Sequence, residues 1–263
     1  MWDAFRRLGW QTLPRDQSVL DWTSCVRTWV DARLFSKRFS PSQLRCGGTW
    51  FAGVNFLENK ASGEFNGISL SGHPVTEILK EFGVYFDGWD SAQVSICYPG
   101  YPKKMNEEST AAFEYRKKRY GAHVDGIIPV GINKRRFLKE PHAFVLGIPL
   151  SDFNKYAAPL VVWEGSHKII RSMIWEKLKN FDPQSWTNID ITENYHEARR
   201  IIFNSCKPKI VTAPLGSTYI IHRHSLHGIM PWDKRGDSEA SGRMIAYFRP
   251  KLKKLEYWLD SQI

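Results

Sequence analysis

The sequence has few cysteines, no long apolar run and no low-complexity linker, and each shortage excludes a class of protein. Its four cysteines (Cys25, Cys46, Cys97 and Cys206) are scattered without a CxxC pair. This argues against a zinc ribbon or a disulfide framework and favours a reducing compartment. No stretch approaches the roughly 20 apolar residues of a membrane span, and the first residues lack the apolar run of a signal peptide. A soluble cytoplasmic protein is therefore predicted.

Acidic residues are also in short supply, since 27 Asp and Glu stand against 37 Lys and Arg, for a formal net charge of +10. This balance admits nucleic acid, an anionic membrane surface or an acidic small molecule as partner and does not choose among them. Hydrophobic residues make up 42% of the chain, which is the composition of a folded protein with a sizeable core. At 263 residues, one large β-rich domain is favoured over two small ones.

Hydrophobic periodicity predicts helices at the front of the chain and strands in most of the remainder. Apolar residues at spacings of three and four predict a helix over residues 16–34, and a Pro-initiated helix is predicted over 74–82, with Gly83 just past its end. Runs rich in β-branched and aromatic residues predict strands over 93–98, 120–128, 143–150, 160–163, 209–212, 217–222 and 243–248. Helical periodicity returns over 169–178 and 192–203, where Thr192 is a candidate N-cap.

Short strands with helices in front and in one insertion indicate a mainly β protein with a double-stranded β-helix, or jelly-roll, core. We expect a single domain over residues 1–263. Within it, 1–90 form a support region, 91–250 form the core with a helical insertion at about 168–206, and 251–263 form a tail.

The sharpest local motif is Gly-Ala-His-Val-Asp-Gly, which contains His123 and Asp125. Side chains alternate along a strand, so these two would project from one face about 7 Å apart at the backbone and could bind the same metal. A His-x-Asp triplet by itself is common, and a surface histidine beside a turn aspartate is its ordinary interpretation.

A second motif lies about a hundred residues on, where an apolar strand ends in a cluster of histidines, His222, His224 and His227. One of these with His123 and Asp125 would give two imidazoles and one carboxylate on one side of a metal. This facial arrangement is typical of non-haem Fe(II) oxygenases, whereas an all-His or Cys-containing set would indicate zinc.

Arg243 opens the buried apolar strand Arg-Met-Ile-Ala-Tyr-Phe and needs an anionic partner there. Its forked guanidinium suits the distal carboxylate of a dicarboxylic acid. The alternative is a rim arginine paired with Asp237 or Glu239.

Four features follow one another along the chain: His-Val-Asp, then Pro-Leu-Val-Val-Trp-Glu-Gly-Ser-His-Lys, then the histidine cluster ending in Leu-His-Gly, then an Arg on the last core strand. In this order they resemble the phytanoyl-CoA dioxygenase family. The resemblance covers about residues 93–250 and implies a jelly roll that uses Fe(II), 2-oxoglutarate and O₂. It implies His123, Asp125 and His227 as metal ligands and catalytic residues, His224 as the next candidate ligand, and Arg243 as the 2-oxoglutarate anchor. The histidine at 167 belongs to a turn that is usually structural in the family. This chain departs from the family pattern at Glu164 and Ile229.

The resemblance implies a dioxygenase that hydroxylates a small organic substrate. The basic runs 116–119 and 134–136 flank the His-x-Asp segment, and if they lie at the active-site mouth they would favour an anionic substrate; a solvated basic face is the ordinary alternative. Two other classes stay open: a non-catalytic or zinc-binding jelly-roll module, and a basic nucleic-acid-binding or nucleic-acid-modifying protein. A nucleic-acid partner is the less favoured expectation, because no recognised reading motif is present.

Overall fold

The computed structural model describes residues 1–36, 40–239 and 241–260. Within these ranges the α-helices are α1 (Asp3–Leu8), α2 (Gln17–Phe35), α3 (His73–Phe82), α4 (Thr110–Lys118), α5 (Ser166–Leu178) and α6 (Thr192–Ser205). Short 3-10 helices cover Pro41–Gln43, Gly83–Tyr85, Pro183–Asn188 and Leu255–Leu259. No helix of the described part of the chain is long and apolar enough to cross a membrane.

The strands form a jelly roll from two antiparallel sheets and a separate hairpin. They are β1 (Trp10–Leu13), β2 (Leu44–Arg45), β3 (Trp50–Gly53), β4 (Gln93–Cys97), β5 (Ile127–Val130), β6 (Arg135–Leu138), β7 (Phe144–Pro149), β8 (Leu160–Trp163), β9 (Pro208–Val211), β10 (Thr218–His222), β11 (His227–Ile229) and β12 (Arg243–Phe248). The large sheet has the order β1-β10-β7-β12-β4-β3-β2, the small sheet the order β11-β8-β9, and β5 pairs with β6.

Apolar side chains from both sheets meet in the interior of the roll. Leu160 and Val162 of the small sheet share one buried cluster with Tyr219, Ile245 and Tyr247 of the large sheet. The alternate residues of the large sheet face a second cluster shared with the helices. Each large apolar side chain buried in this way contributes about 1.5–3 kcal/mol. The sheets are therefore held face to face, with the odd-numbered side chains of β12 pointing into the roll.

Helix α2 covers the outer face of the large sheet because its predicted apolar residues lie along one side of the helix. Val19, Trp22, Val26 and Val30 are buried, and the Trp22 ring lies 5.8 Å from that of Phe248 on β12. Asp16 caps the helix by accepting the Ser18 N–H at 2.8 Å. The predictions of α2, of α3 and of the strands corresponding to β4, β7, β8, β9, β10 and β12 are confirmed within one or two residues.

The predicted strand over 120–128 is wrong. Tyr120, Gly121 and Gly126 have φ values of +55°, +62° and +83°, which an extended strand does not allow. A Cβ at Gly126 would also lie 2.4 Å from the carbonyl oxygen of Glu140, so the turn there requires glycine. Only an isolated bridge at His123 remains, and β5 begins at Ile127.

One predicted helix end differs as well. Thr192 is the first residue of α6 and not its cap, because Asp190 accepts the Thr192 N–H at 2.9 Å while Thr192 Oγ1 accepts the Arg136 N–H at 2.7 Å. Gly83 lies just past the end of α3, as predicted, and begins a 3-10 turn. Of the predicted tail, residues 261–263 lie outside the described residues.

Candidate metal centre

His123 and His227 face each other across an isolated antiparallel bridge. The His123 N–H donates to the His227 carbonyl at 2.8 Å, and the His227 N–H donates back at 3.0 Å. His227 opens β11 and is paired on its other side with Val162 of the interior cluster. The bridge thus fixes two histidines from segments about a hundred residues apart at the edge of the small sheet.

Asp125 completes the group. Its Oδ1 lies 3.0 Å from His123 Nε2, and its Oδ2 lies 3.7 Å from His227 Nε2. One ligand atom from each of these three residues lies within 4.8 Å of the other two. The Asp125 and His227 side chains are only 11% and 8% exposed, whereas that of His123 is 51% exposed, so the group is open to solvent on the His123 side.

The imidazoles are oriented by backbone carbonyls. His123 Nδ1 contacts the Gly121 carbonyl and His227 Nδ1 contacts the Ser225 carbonyl, each at 2.9 Å. Because a carbonyl only accepts, both Nδ1 atoms carry a proton, and the Nε2 atoms face Asp125, where His123 Nε2 hydrogen-bonds the carboxylate. Nε2 is therefore the atom of each ring that would face a metal held by Asp125.

The charge state of the group suits a cation. Burial alone would raise the pKa of the Asp125 carboxyl, but Arg249, His227 and His123 together lower it well below its ordinary value. Burial lowers the pKa of His227 to about 4, although the Asp125 charge opposes this. At neutral pH the site therefore presents an ionised carboxylate and a neutral His227 imidazole.

Arg249 also belongs to this group, although the sequence analysis did not single it out. Arg249 Nε donates to Asp125 Oδ2 at 2.5 Å, and its Nη1 donates to Gln93 Oε1 at 3.0 Å. Its backbone N–H donates to Asp90 Oδ1 at 2.8 Å. Arg249 thus holds one oxygen of the candidate ligand Asp125 from the end of β12.

The other two clustered histidines lie outside the group. His224 is fully buried, its ring centroid lies 4.5 Å from that of Trp258, and neither ring nitrogen has a hydrogen-bond partner among the described residues. His222 Nδ1 accepts the His224 N–H at 3.0 Å. His167 contacts the Arg6 carbonyl through Nε2 at 3.0 Å, in keeping with a structural turn.

Arg243 lies inside the roll and is 1% exposed. Its Nη2 donates to Cys97 Sγ at 3.7 Å, its Cζ lies 5.6 Å from the Phe153 ring, and its Nε has no hydrogen-bond partner among the described residues. The hydroxyls of Tyr219 and Tyr247, which hydrogen-bond each other at 2.9 Å, interact with the same guanidinium.

The predicted alternative for Arg243, an ion pair with Asp237 or Glu239 at a rim, is not what the described residues show. Arg243 is buried, and the Glu239 carboxylate lies instead 3.4 Å from the Asp152 N–H. A buried guanidinium whose neighbours are a thiol and two hydroxyls lacks a compensating charge.

The arginines of the two basic runs contact neighbouring acids and an aromatic ring. Arg116 is held by Glu108 through two contacts of 2.8 Å, and Arg135 pairs with Asp190 at 2.5 Å and Glu193 at 3.0 Å. Arg119 instead lies over the Phe203 ring at 4.0 Å. Part of the positive charge of these runs is therefore paired with neighbouring acids, which the linear sequence did not reveal.

Solved structures that are similar to this chain in fold include a carbocyclase and AviO1. The non-heme alpha-ketoglutarate-dependent carbocyclase SnoK from nogalamycin biosynthesis aligns with a TM-score of 0.51 and 10% identity, covering 95% of this chain and 81% of that one. AviO1 from Streptomyces viridochromogenes Tue57 aligns with a TM-score of 0.51 and 12% identity, covering 96% and 94%. No protein-family model and no curated protein matches the sequence. At these identities the likeness shows the jelly-roll fold, and the resemblance to the phytanoyl-CoA dioxygenase family rests on the motifs alone.

Proposed function

We propose that this protein is an Fe(II)- and 2-oxoglutarate-dependent oxygenase that oxidises a small organic molecule. The observation that carries the proposal is the grouping of His123, Asp125 and His227, whose ligand atoms lie within 4.8 Å of one another at the edge of the small sheet. The fold is also that of SnoK, which is named as an alpha-ketoglutarate-dependent enzyme.

The donor set fits ferrous iron. Two imidazole nitrogens and one carboxylate form the facial set that non-haem Fe(II) enzymes use, and it leaves other coordination positions open. The Nε2 atoms of His123 and His227 are available because their Nδ1 atoms are held by carbonyls. Bound Fe(II) together with 2-oxoglutarate would supply O₂ activation, with oxidative decarboxylation to succinate and CO₂.

The interior of the roll offers a cradle for the distal carboxylate of 2-oxoglutarate. Arg243 provides a buried guanidinium, and Tyr219 and Tyr247 provide hydroxyls beside it. A carboxylate at this position would supply the missing charge and accept hydrogen bonds from all three side chains. Ile229, where the family often has a hydroxyl residue, lies on β11 and packs against the same cluster.

The residues of the chain also define the expected reaction class. An oxygenase that installs halide needs an open metal position in place of the carboxylate ligand, and here Asp125 occupies that position in the group. Hydroxylation or a related oxidation is therefore expected, and a chlorinated product from the unmodified protein would contradict this. We further propose that the chain is one domain with its core over 91–250, that the substrate is anionic and that the protein acts in the cytoplasm.

The test is direct. The purified protein is loaded with Fe(II) under argon, and binding of 2-oxoglutarate is followed by its charge-transfer absorption before O₂ is admitted and succinate is measured. We expect saturable 2-oxoglutarate binding and succinate formation, both lost in Asp125→Ala. Tight zinc binding with no 2-oxoglutarate binding to the iron-loaded protein would instead favour a non-catalytic metal module.

A further inference from the structure

A cationic cleft lies between α4 and α6, and none of its lining residues is a candidate metal ligand. It has a volume of about 440 Å³ and is lined by Tyr115, Arg119, His196, Arg199, Arg200, Phe203 and Asn204. None of these seven residues is acidic. Clefts of this order of size take small ligands, and the lining here is selective for negative charge.

Two of the arginines are fixed by stacking. Arg119 Cζ lies 4.0 Å from the Phe203 ring centroid, and Arg199 Cζ lies 5.4 Å from the same centroid. Stacking on an aromatic face holds the guanidinium plane while leaving its N–H edge available for an acceptor. Two guanidinium groups of the cleft are thus oriented by the same Phe203 ring.

These arginines have no carboxylate partner within the described parts of the chain. The acids of α6 are engaged with other side chains, since Glu197 pairs with Arg200 at 2.5 Å and Glu193 pairs with Arg135 at 3.0 Å. Arg199 Nε is buried and has no hydrogen-bond partner in the described ranges. Cations held close together without a counter-charge repel each other, so an anion bound between them is strongly stabilised.

The surrounding residues extend this positive field. Arg136 lies over Tyr195, 5.9 Å from its ring centroid, and Arg199 lies 5.6 Å from the same centroid. Burial lowers the pKa of His196, and the charges of Arg136 and Arg199 lower it further. The cleft is therefore positive even where its histidine is neutral.

We propose that this cleft is a phosphate-binding site, occupied by the phosphate groups of a small phosphorylated molecule or of a nucleic-acid strand. A phosphate group supplies more than one negative charge and several acceptor oxygens, which match two stacked guanidinium forks. Tyr195 connects the cleft to the metal group, because its ring lies 5.6 Å from Arg199 Cζ and its Oη accepts the N–H of Val124, between His123 and Asp125, at 3.2 Å. The inference does not depend on the proposed oxygenase activity, since binding alone tests it.

The experiment measures binding of pyrophosphate and of a short single-stranded oligonucleotide by calorimetry at low and high salt. The variants are Arg119→Ala/Arg199→Ala and Arg119→Lys/Arg199→Lys, the second of which keeps the charge and loses the fork. Arg235→Ala is the matched control, because Arg235 is stacked 3.9 Å from the Tyr156 ring centroid but already pairs with Asp233. Each lost charge-assisted contact should weaken binding about tenfold or more.

The results separate the possible sources of phosphate. Pyrophosphate binding that falls in the Ala variant, falls less in the Lys variant and is kept in the control supports the site. Tighter oligonucleotide binding that weakens steeply with salt would identify a strand as the source. The proposal is overturned if neither probe saturates the wild-type protein or if both double variants bind like wild type. Fe(II) loading is measured in the same samples, so a failure of the metal site can be distinguished from a failure of phosphate binding.

Discussion

Arg249 Nε and Asp125 Oδ2 lie 2.5 Å apart although the two residues are 124 positions apart in the chain. The contact joins the end of β12 to the segment that carries two candidate metal ligands. Gln93 of β4 accepts from the same guanidinium, so the arginine is fixed from a third element. Asp125 is therefore held in one orientation before any metal binds.

The first prediction concerns this pair. Arg249→Leu should lower the free energy of unfolding of the metal-free protein by about 3–5 kcal/mol, because it leaves a buried carboxylate without its partner. The double variant Arg249→Leu/Asp125→Asn should lose clearly less than the sum of the two single losses. Urea unfolding at neutral pH measures all four proteins, and strictly additive losses would show that the contact contributes nothing.

The second prediction separates the metal ligands from their neighbour. His123→Ala, Asp125→Ala and His227→Ala should each abolish tight Fe(II) binding, because each removes one of three ligand atoms. His224→Leu should keep it, since His224 lies against Trp258 with no place in the group, and leucine fills much of the same volume. Calorimetric Fe(II) titration under argon decides the matter, and loss of binding in His224→Leu alone would displace His227 as the third ligand.

The third prediction gives Arg243 opposite effects on binding and stability. Arg243→Leu should raise the Kd for 2-oxoglutarate about ten- to a hundredfold, since a charged hydrogen-bonded contact is lost. The same change should leave the ligand-free protein as stable or more stable, because it removes a buried charge that has no carboxylate partner among the described residues. Tyr247→Phe, which deletes only a hydroxyl, should give a smaller loss of binding.

Anaerobic titration of the iron-loaded variants measures the first effect, and urea unfolding without ligand measures the second. If Arg243→Leu is strongly destabilising while 2-oxoglutarate binding is unchanged, Arg243 is a structural residue and the anchor lies elsewhere.

Much of the fold could be predicted from sequence because its strands and long helices carry simple apolar periods. The stripe of α2 and the runs of β7 and β12 are examples in which local pattern and final burial agree. Helix α4 and strand β6 could not be predicted in this way, because both are rich in charged residues and α4 has no buried side chain. Their positions depend on contacts with distant residues, such as the ion pair of Arg135 with Asp190.

The metal group was accessible to sequence reasoning for a different reason. His123 and Asp125 are two residues apart, and the third candidate ligand needed only a choice within one histidine cluster. Arg249 was not assigned to the metal group, because its partner Asp125 is remote in sequence and because Arg243 was the arginine of this strand that fitted the expected anchor. The available signal was alternation, since residues 243, 245, 247 and 249 share one face, which places both arginines inside the roll.

The last prediction concerns pH and two buried histidines outside the metal group. Burial lowers the pKa of His142 and of His167 to about 4. Both are neutral in the folded protein at pH 5–6, whereas in the unfolded chain a histidine takes up a proton below about pH 6.5. The unfolded state then binds more protons, so stability is greatest above that pH and falls as the pH drops towards 4.

Each of these histidines should contribute a slope of about 1.36 kcal/mol per pH unit within this window. His142→Gln and His167→Gln should each remove one such contribution from the pH dependence of unfolding, and the double variant should remove two. Urea unfolding of the metal-free protein at several pH values between 4.5 and 7.5 gives the slopes. Slopes equal to that of the wild type in both single variants would mean that these buried imidazoles are already protonated in the folded protein.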